Sequence, residues 1–452
     1  MKAKKYLITA LFIVVFLPSK IPAQNTWSLQ DCIDYAMQHN IEIKQQILNE
    51  EASRYDLEQS YANFFPSLNA QGSQGFSFGR SVDPFTNEFS TERIMRQNFG
   101  ASSSVVLFSG FQNLNYMRRN MLRHTAMRYD TERIQNDITL NIAAAFLQIL
   151  YNKDFVVTAR QQVELLEQQL ERTRILFEGG TVPRGSVLEI EARLAEEELN
   201  LINAKNHLRL SYLELIQLLD LDPAEEFNIE IPEIEVMDQF VIQDVETVFQ
   251  RALQLEPSVR SAGTRIHMAE KLVAQERGRM SPGLFLEGSL GTGYSQANLM
   301  PEEPGSNVFV RKPYSEQIRD NFSQYIGLNL RIPIFNQWQV RTRIQHSKIE
   351  LDRAQNHYEL THNNLNKIIQ QAHADAQAAF QKYQATIKSL DAFRESFNYT
   401  RQRFDLGMVS SVEFNESQTR VARAEREALQ AKYDFVFKMK IMEFYMGEGF
   451  KL

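Results

Sequence analysis

The chain has 452 residues, 49 basic and 56 acidic, with 43% hydrophobic and 23% charged side chains. That mixture excludes a disordered chain and supplies enough apolar residues for two or three ordinary domains. A formal charge of −7 argues against nucleic acid as a partner, and a single cysteine, Cys32, excludes a disulfide framework.

Residues 1–24 read as a secretory signal: "MKAKK" is a positive start, "YLITALFIVVFL" an apolar stretch of twelve, and "PSKIPAQ" a small and polar exit. The stretch is too short to span a bilayer as a helix, and cleavage is expected after Ala23 or Gln24. Losing Lys2, Lys4, Lys5 and Lys20 moves the formal charge from −7 to −11, so the exported chain is acidic. Cys32 follows "SLQD" rather than small apolar residues, which gives no lipid attachment site and leaves it a small hydrophobe on a helix.

Residues 28 to 64 are predicted as helix, with Ile33, Met37, Ile41, Leu48 and Leu57 among charged and amide side chains, and Pro66 ends it. The period then changes to two. Ser67, Asn69, Gln71, Ser73, Gly75 and Ser77 alternate with Leu68, Ala70, Phe76 and Phe78, a strand with one wet face. From Phe111 to Phe177 there are 67 residues without proline or glycine, a rod of about 100 Å. Ile142, Ile149, Val156, Val163, Leu170 and Phe177 keep a seven-residue spacing along it, with Ala145, Asn152, Ala159, Leu166 and Thr173 as the second seam, so coiled-coil packing is expected. "FEGGTVPRGSVLE" interrupts the rod, after which Val187, Leu194, Leu201, Leu208 and Leu215 resume the sevens. This interruption is no phosphate loop, because it lacks the lysine before the hydroxyl residue and follows a helix rather than a strand.

All of this occurs twice. A shift of 216 carries Ala36 onto Ala252, Pro66 onto Pro282, Leu68 onto Leu284 and Gly72 onto Gly288. From about residue 99 a shift of 227 carries Gly100 onto Gly327, Phe177 onto Phe404, Gly180 onto Gly407, Val182 onto Val409 and Glu189 onto Glu416. The chain is two copies of one unit, divided as 25–235 and 236–452, with eleven extra residues between about Ser295 and Tyr325. The return strand is clear in the second copy, where Ile326, Leu328, Leu330, Ile332 and Ile334 alternate with Gly327, Asn329, Arg331 and Pro333. No mature segment approaches the ~18 apolar residues of a membrane helix. A membrane contact must therefore use strands, and four strands per chain close a barrel only if several chains share it.

In this order of elements, given twice, the sequence resembles the TolC-type outer-membrane efflux proteins. "FEGGTVPRGSVLEIEARLAEEE" and "FDLGMVSSVEFNESQTRVARAE" carry the resemblance, with "LFSGFQN" and "IPIFNQW" at the join of return strand and long helix. The resemblance implies a mainly α fold with a membrane β-barrel: a homotrimer whose twelve-stranded barrel sits in outer-membrane lipid above a coiled-coil tunnel through the periplasm. It also implies a passive exit duct of a tripartite efflux or type I secretion system, met by a periplasmic adaptor (a membrane fusion protein) and an inner-membrane RND, ABC or MFS pump. Neither catalysis nor a cofactor is implied, and drugs, metabolites, metal ions and polypeptides all stay open as cargo.

On this reading the glycine turns are the tips, and Gly179, Gly180, Val182, Gly407, Val409 and Ser410 are expected to meet the adaptor, with Val182 and Val409 exposed. Phe404, Asp405, Glu413 and Glu416 are expected at the periplasmic entrance. Glu413 and Glu416 share a helix face, and three copies would make an acidic constriction favouring cations, unless they form an ordinary solvated face. Because Phe404 and Val409 flank Gly407, closure is expected to rest on apolar packing rather than an ionic lock. His346, His357, His362 and His373 lack the pairing that holds a metal, so no metal site is expected. The segment "NLMPEEPGSNVFVRKPY" reads as an outer surface loop. The alternative from another class is a soluble periplasmic or surface coiled-coil scaffold with no transport role.

Overall fold

The computed structural model describes residues 26–82, 87, 89–90, 93–222, 227–234, 244–304 and 308–450; the expected signal, 1–24, lies outside them. The chain opens with β1 (Thr26–Trp27), α1 (Leu29–His39) and α2 (Ile41–Ala62). Ser28 caps α1 by accepting from the Asp31 amide while the Asp31 carboxylate accepts from the Ser28 amide, a reciprocal capping box. The expected single helix over 28–64 is therefore two. The break is at Asn40, whose backbone is extended (φ −58°, ψ 129°) and whose Oδ1 caps α2 at the Ile43 amide. Its Nδ2 donates to the Leu218 carbonyl (2.9 Å), and the neighbouring Ile41 amide donates to Asp220 Oδ2 (2.8 Å). A tertiary clasp thus breaks a helix that local pattern alone continues.

Then come β2 (Ser67–Ser77), β3 (Ser81–Val82), β4 (Phe89–Ser90), β5 (Ile94–Phe108), α3 (Gln112–Glu178), α4 (Arg184–Leu219) and β6 (Asn228–Ile229). The second half contains α5 (Val245–Leu255), α6 (Pro257–Gly278), β7 (Gly283–Ser295), β8 (Leu299–Pro301), β9 (Phe309–Arg311), α7 (Tyr314–Asp320), β10 (Ser323–Arg331), α8 (Gln339–Asp405) and α9 (Ser411–Met446). The sequence shifts carry over to the structure: α5 and α6 start and end 216 residues after α1 and α2, and α8 and α9 start and end 227 residues after α3 and α4. The break at Asn40 recurs as Glu256–Pro257, where proline opens α6. The extra segment of the second half is a folded unit, the hairpin β8–β9 and the short helix α7.

The main sheet runs β10-β7-β5-β2, antiparallel throughout. Below it the helices lie side by side, α2–α3–α6–α8 nearer the sheet and α4–α3–α9–α8 toward the turns. The heptad seams of α3 do the packing. Ile142, Ile149, Val156, Val163 and Leu170 are buried, as are Ala145, Asn152, Ala159, Leu166 and Thr173. Phe177, the last predicted knob, is 41% exposed because the turn begins there. The largest core surrounds the waist, where α1, β6 and the tail at Phe450 pack on Ile142, Phe146 and Leu150 of α3. Cys32 is fully buried there, and burial pushes its thiol up to about 12, so it acts as packing.

Candidate functional site

The sheet has two chemically distinct faces. Register pairs Leu330 with Leu284, Leu328 with Leu286 and Ile326 with Gly288, and continues through Val105 and Ala101 to Leu68 and Ala70. On the other face, Asn329, Gly327, Ser289, Ser102, Ser104, Gln71, Asn69 and Ser67 line up, with Arg331 and Glu287 as charges and Phe285, Val106 and Tyr325 as the apolar exceptions. Apart from the short α7 on the upper part of β7, the apolar face is bare: Leu68 is 78% exposed, Ile326 83% and Leu328 67%. Bare leucines and isoleucines on one face and small polar groups on the other suit lipid on one side and water on the other. The return strand is shorter than the alternation implied, since β10 stops at Arg331, and Ile332 and Ile334 lie in the irregular joint that leads to α8.

That joint has the same geometry in both halves. Phe111 and Trp338, each immediately before a 67-residue helix, take left-handed backbone (φ 60° and 63°) and stay exposed. Behind Phe111, Gly110 (φ +62°) touches Gly278: a Cβ on Gly110 would lie 2.3 Å from the Gly278 carbonyl, and one on Gly278 as close to the Gly110 carbonyl. Only glycine fits both sides of this crossing.

At the opposite end the two glycine turns are a matched pair. Gly180 (φ +74°) donates to the Phe177 carbonyl and Thr181 to that of Leu176, both at 2.9 Å. Gly407 (φ +70°) donates to Phe404 (2.9 Å) and Met408 to Arg403 (2.8 Å). Each is a Schellman end, which requires a left-handed residue after the helix. Gly179 differs: it keeps helical backbone (φ −75°), so the second of the paired glycines makes the turn. Ser410 caps α9 by accepting from the Glu413 amide (3.2 Å), and Pro183 holds the equivalent position before α4. Val182 and Val409 are half-buried, not exposed as expected. The exposed apolar residues of the second tip are instead Leu406, Met408 and Val412, which the repeat comparison passed over because the first copy has Gly179, Thr181 and Gly185 there.

The entrance residues separate into two groups. Phe404 stacks on Phe414 (4.6 Å between centroids, 26°), and Phe414 in turn on Phe397, so Phe404 knits α8 to α9. Asp405 accepts from Arg172 (3.2 Å), tying the end of α8 to the end of α3. Glu413 pairs with Arg403 (3.5 Å) and Glu416 with Arg420 (3.7 Å), so neither carboxylate stands alone. One layer above, buried Asn415 accepts from Gln169 (3.0 Å) and donates to Glu189 (3.3 Å). Polar links therefore join the two hairpins within one chain. Sequence missed them because Arg172 and Asp405 are 233 residues apart, and no repeat shift relates them.

Among the described residues no group of three or more histidine, cysteine, aspartate or glutamate side chains is arranged to hold a metal, and no helix is long and apolar enough to cross a membrane. The geometry is that of a wall and its turns. A family model described as "Outer membrane efflux protein" matches residues 32–220 and 248–438. The chain belongs to the outer membrane efflux protein family. It is thus an outer-membrane protein, which sets aside the soluble scaffold. Alkaline protease secretion protein AprF of Pseudomonas aeruginosa is 22% identical over 69% of this chain and 61% of its own length. Outer membrane protein TolC of Vibrio cholerae is 21% identical over 68% of this chain and 66% of its own. The alignments with these curated relatives thus span about two thirds of their length or less. The crystal structure of the outer membrane protein VceC of Vibrio cholerae superposes with a TM-score of 0.77 at 15% identity, over 94% of this chain and 97% of that one, so the channel-tunnel fold is shared.

Proposed function

We propose that three copies of this chain close into one duct, with a twelve-stranded barrel in the outer membrane and a tunnel of helices below it, through which cargo leaves. The observation that carries this reading is the pair of open edges. β2 and β10 each have one unpaired side, and their apolar residues lie on the same face of the sheet, so β10 of one copy continues into β2 of the next with lipid outside and polar groups inside. The helical wall repeats the logic. Its edge helices expose Leu48 and Tyr55 on α2, Leu199 and Ile202 on α4, and Leu360 and Tyr399 on α8. Unpaired strand edges cost several kcal/mol per group in lipid, so ring closure and membrane insertion go together.

The tips then lie at the periplasmic end, where the reading has Gly179, Gly180, Val182, Gly407, Val409 and Ser410 meet a periplasmic adaptor, joined there by Leu406, Met408 and Val412. Phe404, Asp405, Glu413 and Glu416 border the entrance. Energy for transport comes from an inner-membrane pump of the RND, ABC or MFS class. The two halves, 25–235 and 236–452, act as two staves of each chain. The test is fractionation with conductance: heat-modifiable trimers in the outer membrane that conduct in planar bilayers fit the duct, whereas release with the periplasm, or trimers that never conduct, reject it.

A further inference from the structure

The waist of the wall has two sides. On one, Lys153 of α3 and Tyr212 of α4 both donate to Asn228 Oδ1 of β6 (3.1 and 2.9 Å), and Phe146 and Leu150 pack beneath α1. At 3.6 residues per turn, Gln148, Tyr151 and Phe155 fall on the opposite side of α3, and Leu210 and Glu214 on the opposite side of α4. Together with His207 they line a groove of about 450 Å³. Its floor is aromatic, with Tyr151 and Phe155 parallel (3° between planes) at 6.0 Å. Leu210 is half exposed on its flank, and Glu214, also exposed, forms no ion pair or hydrogen bond among the described residues. Asn152 donates to the His207 carbonyl (3.4 Å) underneath, joining the two helices.

A ring of helices has room for an added layer only on its convex side, so on the duct reading the α1 and β6 layer is outside and this groove opens on the bore. Farther up the same side of α3, three ion pairs are formed: Arg123 with Asp56, Arg133 with Asp137, and Arg265 of α6 with Asp130. Glu214 has no salt-bridge partner among the described residues and lies beside two stacked rings, with the Arg426 guanidinium of α9 near the Tyr151 hydroxyl. We propose that the groove is a cargo subsite for planar aromatic monocations. The rings take the flat apolar body, Glu214 takes the positive group, and the acidic chain as a whole favours the same sign.

This rests on the duct reading, and the experiment separates the two. Ethidium binding to the purified full-length protein in detergent is followed by fluorescence, beside bilayer conductance of the same preparation. Saturable binding is expected, weakened about threefold to fivefold in Glu214→Gln, as suits one exposed charge contact, and weakened to a similar extent by high salt. Phe155→Ala is expected to weaken ethidium and a neutral planar analogue alike, while Glu214→Gln spares the analogue. Equal ethidium binding by wild type and Glu214→Gln overturns the subsite, as does loss of both probes in that variant. If conductance persists while the subsite fails, the duct reading stands; if conductance is absent, the duct fails on its own measurement.

Discussion

Gly180 and Gly407 show how one residue type is tied to one backbone state. Their φ values near +70° are the reason for glycine, since nothing lies within 4 Å of a Cβ at either position. A β-branched residue there is strained by about 1–2 kcal/mol and clashes with nothing. Gly180→Val and Gly407→Val are therefore expected to leave heat-resistant trimers intact and to impair export; electrophoresis without boiling and an efflux assay read the two effects, and loss of the trimer would assign the glycines to folding alone. Asn40 has a different economy: one side chain caps α2 and clasps the turn after α4. Asn40→Ala is expected to cost about 1–2 kcal/mol, read as a lower denaturation midpoint. Glu256, half-buried at the α5–α6 break, has its carboxyl pushed above the usual 4.5 by burial, with Asp137 adding to the rise and Ser258 opposing it. The folded state then holds the proton more tightly than the unfolded one. Stability from this group is complete below about pH 4.5 and is lost as pH rises through the folded value. Glu256→Gln is expected to raise thermal stability at neutral pH, with the gain vanishing below that window.

At the scale of elements, the sequence made most of the helices legible. The breaker-free stretches 111–178 and 334–406 each became a 67-residue helix, because nothing in the interval offers the backbone an alternative. The seams were legible for the same reason, up to Phe177, where the helix has no further partner. The links between elements were not legible. Arg172 and Asp405 join two hairpins, and their pairing depends on where two separate rods end. Both are largely exposed, so a double-mutant cycle in bilayer conductance or unfolding is expected to give a coupling of at most about 1 kcal/mol. A larger opening effect than stability effect would mark the link as part of the entrance. Gly110 and Gly278 were likewise hidden, since their contact brings together the start of α3 and the end of α6.

For the whole molecule, the sheet is the part that, on the duct reading, no single chain completes. Its apolar face is exposed in isolation, so Ile326→Lys or Leu328→Lys is expected to cost about 2–4 kcal/mol in lipid if the residue lies near the bilayer midplane. Asn329→Lys on the polar face, next to Leu328 along the strand, is expected to assemble normally; detergent-resistant trimer yield distinguishes them. Period and composition determined the duplication, the rods, the two-faced strands and the positions of the turns, because each of these is written in residues close together along the chain. The break at Asn40, the Arg172–Asp405 link and the waist groove were decided only by tertiary structure. Each depends on two segments far apart in sequence arriving side by side, and that meeting is set by how the two repeats pack rather than by any local preference.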